Sequence, residues 1–428
     1  MDDTYLGKLP DRRWHLPRAG FPLGDGARTM SIDELRAVRP SVTAGDVLLP
    51  ALVMKQSALS NNLDLMRAFT SAHHVLFAPH AKTTMAPQLI QRQLVAGAWG
   101  ITVANVFQAH VANLAGARDI LIANEVVGAR DIEWLARMTT DDATSVAVLV
   151  DSPAAVAILD HGLGGAGAGG RQRVLIEVGH TGGRTGARDA GSVMATAAAV
   201  AGASHLALVG VATYEGVVAH DREAATLAKI DGYLDWVKAT TVSLAEAGFF
   251  EELDRVIVSA GGTRFVDRVV ERLAPGDWGG RQIDLVVRAG CYVTYGHGAG
   301  PNDSPFSGSS PFGQLIPALE LWAEVLSLPE PALAIVAAGK RNVGDRPGAI
   351  VPIRLVRPGQ PPGAAADMMT VTGLDDQHAY VAYRGVELRV GDRIGFGLQH
   401  PTALDRWQVV PVVDDDDRII DAVATFFA

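Results

Sequence analysis

The stretch Val75-Leu76-Phe77-Ala78-Pro79-His80-Ala81-Lys82-Thr83-Thr84 joins a short apolar run to a lysine with polar neighbours. Further short runs, nearly continuous in Val, Ile, Leu and Ala, follow along the chain as far as Tyr292, with helical stretches between them. Such runs are typical of parallel strands that are covered on both faces. The eight predicted strands are Val75–Phe77, Ile101–Ala104, Ile120–Ala123, Val146–Val150, Val174–Val178, Leu206–Ala212, Val256–Val258 and Leu285–Val287.

Eight strand–helix units across about 220 residues match a closed barrel in size and order, and predict a TIM-like (β/α)8 barrel. An open doubly wound sheet is the competing architecture, although it has no special reason to stop at eight strands. Pro87 falls in the first turn of the helix predicted after Lys82, where proline is favoured.

The amino-acid composition of the chain changes after Pro301, where Gly, Ser and Pro dominate the stretch 302–311. This composition indicates a domain boundary. We therefore predict an α/β protein in which residues 46–305 form the barrel, while residues 1–45 and 306–428 form a β-rich domain. Its predicted elements are the strands Ala334–Ala337, Ile350–Leu355, Met369–Val371, Tyr380–Tyr383 and Arg393–Gly397, and a hairpin from Val409 to Phe427 that turns at Asp414–Asp417.

Composition and charge exclude several classes of protein. The 428 residues are 48% hydrophobic and carry 37 Lys+Arg against 47 Asp+Glu, with no basic run that could neutralise a nucleic-acid backbone. The single cysteine, Cys291, excludes an internal disulfide framework. No apolar run reaches the roughly 20 residues of a membrane span, and the start lacks a basic signal region. We expect a cytoplasmic protein without nucleic-acid or membrane partners.

The residues just after each strand are the candidates for chemistry, because the active site of a β/α barrel lies at the C-terminal ends of its strands. Lys82 follows the first strand, beside His80 and two threonines. Most lysines are surface residues, but a lysine drawn into a barrel mouth loses its proton readily and forms Schiff bases.

An anion site is predicted after the seventh strand. The loop Ser259-Ala260-Gly261-Gly262-Thr263 opens a helix there, and its backbone N–H groups and dipole favour an anion. Arg184 after strand five could hold a phenolate or carboxylate, and Tyr214 and Tyr292 add hydroxyl groups. A lysine with such partners indicates pyridoxal 5'-phosphate (PLP). The predicted cofactor-binding residues are Lys82, His80, Arg184, Tyr214, Ser259, Gly261, Gly262, Thr263, Gly290, Cys291 and Tyr292.

Several of these motifs together resemble the D-serine dehydratase and D-threonine aldolase group of PLP enzymes, and especially its amino acid deaminases. The resemblance implies the alanine-racemase-like fold (PLP fold type III), a homodimer with the active site at the subunit interface, and an internal aldimine on Lys82. The motifs that carry it are 79–85, 97–102, 182–186, 214–216, 259–262 and 289–292, with 376–380 and 412–416 near the C-terminus.

The chain departs from this group at the metal site. The group's lyases generally hold a divalent metal such as zinc or manganese through a histidine and, two residues on, a cysteine or aspartate. Here the sequence is His400-Pro401-Thr402, and a neutral hydroxyl is a poor metal ligand. His400 is therefore either part of an incomplete metal site or a histidine of the active-site wall. Other departures are Ala78, Tyr295-Gly296 and the run 344–348.

The resemblance implies a lyase that takes D-amino acids. In β-elimination, Lys82 removes the α-proton, and loss of the β-hydroxyl yields a 2-oxo acid and ammonia. Without a metal, that hydroxyl needs an acid such as His378 or His400. Retro-aldol cleavage and metal-independent racemisation or epimerisation are the alternative reactions. A PLP carrier or regulator without turnover is the alternative outside enzymes.

Overall fold

Eight parallel strands form a nearly closed barrel in the computed structural model of this chain. The predicted barrel is thereby confirmed, with strand limits close to the expected ones. The barrel strands, numbered first to eighth below, are Leu76–Phe77, Ile101–Val103, Asp119–Glu125, Ser145–Val150, Gln172–Glu177, Leu206–Ala212, Arg255–Ala260 and Arg281–Val287. The structure describes residues 14–15, 20–22, 29–141, 143–298, 304–308, 310–345, 348–357, 363–364 and 367–427.

The eighth strand closes the barrel by pairing with strands on both sides. It runs parallel to the seventh strand and also to the first, where Val286 lies opposite Leu76. The first and second strands are linked by a parallel bridge between His80 and Thr102. Because all eight strands point the same way, their C-terminal ends meet at one mouth.

The barrel strands are buried on both faces. Inside the barrel, alternate residues of strands three to six form one apolar cluster, whereas their neighbours face the surrounding helices. Each fully buried Leu or Val contributes about 1.5–3 kcal/mol. The interior cluster consists of Leu121, Ala147, Leu149, Leu175, Val209 and Ala212. The helices of this body are Gln56–Ala72, Pro87–Val95, Val106–Leu114, Ala129–Met138, Pro153–Gly165, Ala190–Ala201, Ala224–Glu246 and Val266–Arg272.

A mixed β-sheet forms the second domain, as predicted. Its central strand, Leu319–Glu330, was not predicted; it pairs with Arg393–Leu398, Leu333–Val336 and also Ala51–Lys55. The last of these strands lies within the range predicted for the barrel, and the exact limits at 46 and 305 stay a prediction. The remaining strands are Ile350–Val356, Gly363–Ala364, Met369–Leu374, Ala379–Tyr383, Val409–Val413 and Ile419–Ala424.

A few short elements complete the described chain. The N-terminal helix Ile32–Val38 packs against Ile419 and Ala422 of the last strand. The other short elements are the strands Trp14–His15, Thr29–Met30 and Asp277–Trp278, the helix Lys340–Val343, and the 3-10 helices Ala81–Thr83, Glu215–Val217 and Pro401–Arg406. Within the described ranges, no helix is both long and apolar enough to cross a membrane. The cytoplasmic location stays a prediction.

A buried ion-pair cluster ties the C-terminal hairpin to the second sheet. Asp417, in the hairpin turn, is only 2% exposed. Its carboxylate accepts hydrogen bonds from Arg354 at 2.8 and 2.6 Å and from Lys55 Nζ at 3.0 Å. Burial tends to raise the pKa of Asp417, but Arg354 and Lys55 outweigh burial and hold that pKa below its usual value.

We predict that Asp417→Asn lowers the free energy of unfolding by about 2–4 kcal/mol, because Lys55 loses its ion pair and Arg354 keeps only Glu320, at 3.3 Å, among the described residues. Asn keeps the size and tolerates the left-handed backbone of this position, where φ is 59°. Denaturant unfolding of the variant and of Asp416→Asn, an exposed neighbour, measures the difference. Since a depressed pKa stabilises only above the unfolded pKa, the difference should shrink as the pH falls below about 4. A deficit that is independent of pH would contradict this account.

Candidate active site

A cavity of about 650 Å³ lies at the C-terminal mouth of the barrel. Its size is within the range of small-molecule sites, and its place is where barrel enzymes carry their active sites. The structure brings most of the predicted site residues together there. The predicted residues that line the cavity are His80, Lys82, Arg184, Tyr214, Gly261, Gly262, Thr263, Gly290, Cys291 and His400.

Lys82 lies in a short 3-10 helix, Ala81–Thr83, that follows the first barrel strand. Its side chain is accessible because it projects into the open cavity, although protein surrounds most of its length. Partial burial lowers the pKa of Lys82, and the charges of Arg184 and Arg288 lower it further. The amine is therefore closer to its neutral, nucleophilic form than an ordinary lysine is.

His80 faces the same cavity. Burial lowers its pKa well below the usual value, with Lys82, Arg288 and Arg184 adding to the effect. Its Nδ1 atom is buried and has no hydrogen-bond partner among the described residues. A neutral imidazole with an open ring nitrogen can bond to a ligand without adding charge.

Glu215 fills the place where free N–H groups were expected. Its carboxylate, which is fully buried, accepts hydrogen bonds from Gly261 N at 3.0 Å and from Gly262 N at 2.8 Å. The expectation that these two N–H groups are free for an anion is thus wrong. The carboxylate of Glu215 already binds the two N–H groups that were expected to bind an external anion. Burial raises the pKa of Glu215, while the glycine N–H groups and Arg288 act in the opposite direction.

Tyr214 and Arg184 form one wall of the cavity. The guanidinium carbon of Arg184 lies 5.8 Å from the centre of the Tyr214 ring, within cation–π range. Gly262 supports the same ring from behind, because a Cβ at that position would lie 2.9 Å from Tyr214 Cε2. The tyrosine ring can therefore pack closely on the glycine loop.

Arg288 is a site residue that the sequence reasoning missed. It lies directly after the eighth strand, is buried, and donates a hydrogen bond to the carbonyl of Thr213. The carboxylates of Glu215 and Glu177 are its nearby counter-charges. Its position, just before the motif 289–292, was the available signal. Other cavity residues that were missed are Asn124, Glu177, His220, Arg264, Ser304 and Gln399.

Cys291 lies beside Thr83, whose hydroxyl oxygen is 3.8 Å from the sulfur. Burial raises the pKa of the thiol, against the influence of Thr83, Lys82 and Arg264. The thiol is therefore held in its neutral form close to the amine of Lys82. A neutral thiol offers a weak hydrogen bond and a soft surface to a ligand.

Three predicted site residues lie outside the cavity, which corrects the expectation for their side chains. Ser259 is still within the seventh strand and donates to the carbonyl of Val286 at 3.3 Å. Tyr292 points into the core, where its hydroxyl accepts a hydrogen bond from Gln93 at 3.1 Å. His378 is exposed in the turn before the strand Ala379–Tyr383.

The residues of the mouth fit an anionic cofactor such as PLP. Thr263 Oγ1 is buried without a hydrogen-bond partner among the described residues, so the loop holds an open donor toward the cavity. Lys82, Arg184, Arg264 and Arg288 supply positive charge around it. A phosphate group would satisfy the threonine hydroxyl and balance this charge.

The residues around His400 do not fit a metal ion in the way that the residues of the mouth fit PLP. His400 lines the cavity, but the side chain of Thr402 lies outside the described part of the structure. Within the described ranges, no three His, Cys, Asp or Glu side chains lie close enough together to hold a metal ion. Two residues after His400 the sequence has Thr402, and a neutral hydroxyl is a weak ligand for zinc or manganese.

A second cleft of about 600 Å³ lies far from the barrel mouth, between the N-terminal helix and the helix Pro87–Val95. Surface ion pairs join its walls, with Asp421 bound to Arg36 at 2.8 Å and to Arg92 at 3.2 Å. Its paired charges and lack of strand ends make it a poor candidate for catalysis.

A barrel whose mouth carries a lysine, followed by a β-domain, defines the alanine racemase fold. Solved structures agree with this assignment. Alanine racemase from Clostridium difficile 630 aligns with a TM-score of 0.60 at 14% identity, over 89% of this chain and 100% of the racemase. The predicted fold class is confirmed.

The chain is also similar to several proteins that are named as aldolases. D-threonine aldolase from Filomicrobium marinum aligns with a TM-score of 0.72 at 23% identity, over 89% of this chain and 95% of that chain. D-threonine aldolase from Arthrobacter sp is 27% identical over 350 residues, which are 81% of this chain and 84% of the relative. 3-Hydroxy-D-aspartate aldolase from Paracoccus denitrificans (strain Pd 1222) is 29% identical over 52% of this chain and 57% of the relative.

The family described as "Putative serine dehydratase domain" matches residues 318–413, which lie in the second domain. D-threo-3-hydroxyaspartate dehydratase from Delftia sp. HT23 also shares the fold, with a TM-score of 0.68 at 21% identity over 89% of this chain and 98% of that chain. The resemblance predicted from the motifs is confirmed. The prediction of a lyase for D-amino acids agrees with the names of these relatives, which include both aldolases and dehydratases.

We predict that Glu215→Ala lowers the free energy of unfolding by about 2–4 kcal/mol, because two N–H groups of the glycine loop lose their acceptors. Glu215→Gln keeps one acceptor oxygen, so its free energy of unfolding should fall by about half as much as that of Glu215→Ala. Denaturant unfolding measures both variants against the wild type. Equal stability of all three proteins would show that the loop does not depend on this carboxylate.

Proposed function

We propose that this protein is a PLP-dependent lyase that converts a β-hydroxy-D-amino acid into a 2-oxo acid and ammonia by β-elimination. The observation that carries the proposal is the position of Lys82. Its amine, with a lowered pKa, shares one cavity with Thr263, whose buried hydroxyl is open to a phosphate. The preference for D-amino acids comes from the names of the relatives.

The residues of the mouth have separate tasks in binding. Thr263 and Gly290, at the ends of strands seven and eight, would hold the phosphate group. Arg184 would hold the phenolate oxygen or the carboxylate of the substrate, since its guanidinium is accessible in the cavity. Tyr214, packed on the glycine loop, would support the flat ring from one side.

Lys82 performs the proton transfer in this proposal. PLP, when bound, supplies an electron sink that stabilises negative charge at Cα. The Lys82 amine, once released by the incoming substrate, takes the α-proton and later returns one. Its lowered pKa favours the neutral base that this step requires. The surrounding arginines stabilise the carboxylate while the amine changes its protonation state.

Departure of the β-hydroxyl requires an acid, because hydroxide is a poor leaving group. His400 is the candidate within the cavity, whereas His378 lies outside it in this chain. Thr402, two residues after His400, has a neutral hydroxyl that binds metals poorly, so a side chain would supply the proton. An imidazolium at His400 would donate the proton that the leaving oxygen needs.

Retro-aldol cleavage to glycine and an aldehyde is the second candidate, because the relatives from Arthrobacter sp and Paracoccus denitrificans are both named aldolases. It uses the same binding residues, but a base must remove the proton of the β-hydroxyl. His80, held neutral in the cavity, could serve as that base. A homodimer, which the sequence resemblance implies, belongs to the proposal as well.

We predict that Lys82→Ala lowers kcat with D-threonine by about 10³-fold or more, because the base and the covalent anchor are lost together. Borohydride reduction followed by peptide mass spectrometry should place a reduced PLP adduct on Lys82 in the wild type. Lys229→Ala, on the exposed side of a barrel helix, is the matched control. An adduct on another lysine would refute the assignment.

The products from D-threonine distinguish the reactions. 2-Oxobutanoate with ammonia supports elimination, glycine with acetaldehyde supports retro-aldol cleavage, and L-allo-threonine supports epimerisation. PLP binding without any product from a panel of D-amino acids would support a carrier.

We also expect that chelation leaves most of the activity intact, and that the purified protein holds less than one zinc or manganese ion per chain. The physical reason is the neutral hydroxyl of Thr402 at the position where the family resemblance implies a charged ligand. Elemental analysis and activity before and after dialysis against a chelator measure this. His400→Gln should lower elimination whether or not metal is added. Stoichiometric metal whose removal abolishes turnover would contradict the prediction.

A further inference from the structure

Two acidic side chains lie beside each other in the mouth of the barrel, apart from the groups used above. Glu177 is the last residue of the fifth strand, is 6% exposed and lines the cavity. Glu125 is the last residue of the third strand, and its carboxyl group is within hydrogen-bonding range of Glu177. The fourth strand, which ends at Val150, lies between these two strands in the sheet.

The two carboxyl groups leave buried oxygen atoms without a hydrogen-bond donor in the described part of the chain. Glu125 Oε1 and Glu177 Oε2 are both buried, and neither accepts a hydrogen bond from a donor among the described residues. Two ionised carboxylates have no hydrogen to share and repel each other at this range. One proton on the pair would supply a donor between the two carboxyl groups and remove the repulsion.

The two carboxyl groups have neighbours of different charge. Asp151, which follows the fourth strand and accepts a hydrogen bond from Gly186 N at 3.2 Å, adds negative charge near Glu125. Arg288, directly after the eighth strand, adds positive charge near Glu177. Tyr233, from the long helix Ala224–Glu246, is near Glu177 and neutral, since burial raises its pKa to about 12.

We propose that Glu125 and Glu177 hold one proton between them, and that Glu125 is a positioning residue that keeps the mouth positive enough to bind an anionic cofactor. With the proton in place, Glu177 and Glu215 carry two negative charges close to Arg288. Loss of the proton adds a third negative charge in the same mouth. A phosphate-bearing ligand then meets stronger repulsion, so its affinity falls. This inference rests on the proposed PLP function.

The direction of the pH dependence follows from the same contacts. Burial raises the pKa of Glu125 to about 8, and the hydrogen bond and charge of Glu177 and the charge of Asp151 act in the same direction. The pair therefore keeps its proton at neutral pH and loses it in mildly alkaline solution. Glu125→Gln has the shape and the donor of the protonated acid, but it does not titrate.

The affinity for PLP, measured by titrating the apoprotein at pH 7 and at pH 9, tests the proposal. We expect the Kd of the wild type to rise about tenfold more over this range than the Kd of Glu125→Gln. Glu246→Gln removes one negative charge from an exposed site and should behave as the wild type. Other groups titrate in all three proteins, so the difference between variants isolates Glu125. If the Kd for PLP changes equally with pH in the wild type and in Glu125→Gln, the proposal is overturned.

Two measurements on the apoprotein separate this inference from the proposed function. Infrared spectra at pH 7 should show a protonated-carboxyl band in the wild type that is lost in Glu125→Gln. Between about pH 4 and pH 8, the native state holds a proton that the unfolded chain releases, so rising pH destabilises the wild type. Glu125→Gln should therefore gain stability relative to the wild type across this window.

If neither protein binds PLP at any pH, the proposed function fails, while the infrared band and the stability difference still decide whether the proton is shared. If PLP binds but the band and the stability difference are absent, the shared proton is refuted and the proposed function stands. A band and stability difference without any effect on PLP affinity would leave the shared proton in place and refute its role in binding.

Discussion

Pairing of the last barrel strand with the first is the interaction on which the site depends. Val286 lies opposite Leu76 across this seam, and the chain between them contributes the other strands of the barrel. Because the strands are parallel, closure carries every strand end to one mouth. Lys82 and Cys291, more than two hundred residues apart in sequence, thereby face one cavity. Without the seam, Lys82 would follow an edge strand, and no shared pocket would form around its amine.

Charge balance is the second constraint on the mouth. Arg288 is buried there, and an uncompensated guanidinium in such a place is costly. Glu215 offsets that cost and also binds the two N–H groups of the glycine loop. These two hydrogen bonds attach the glycine loop to Glu215. Burial lowers the pKa of the Lys82 amine, and the positive charge around it lowers that pKa further and favours an anionic ligand.

Much of the fold could be predicted, because buried parallel strands are continuous apolar runs whose spacing is visible in one sequence. The central strand Leu319–Glu330 was missed for a local reason. Its charged residues and Pro329 interrupt the apolar run, and it does not alternate cleanly. The strand Ala51–Lys55 was missed because its pairing depends on a distant part of the chain. It passes directly into a helix, and its pairing partner lies more than two hundred residues away.

The sequence by itself determined the order of strands and helices and the residues that follow each strand, because hydrophobic periodicity and turn composition are local properties. Only the tertiary structure decided which of those residues face the cavity. Tyr292 follows a strand as Lys82 does, yet it points into the core, whereas Cys291 beside it lines the mouth. Glu125 and Glu177 come together, and Glu215 occupies the N–H groups of the glycine loop, only after the barrel closes. Side-chain direction and burial depend on neighbours from distant parts of the chain, and no local pattern encodes them.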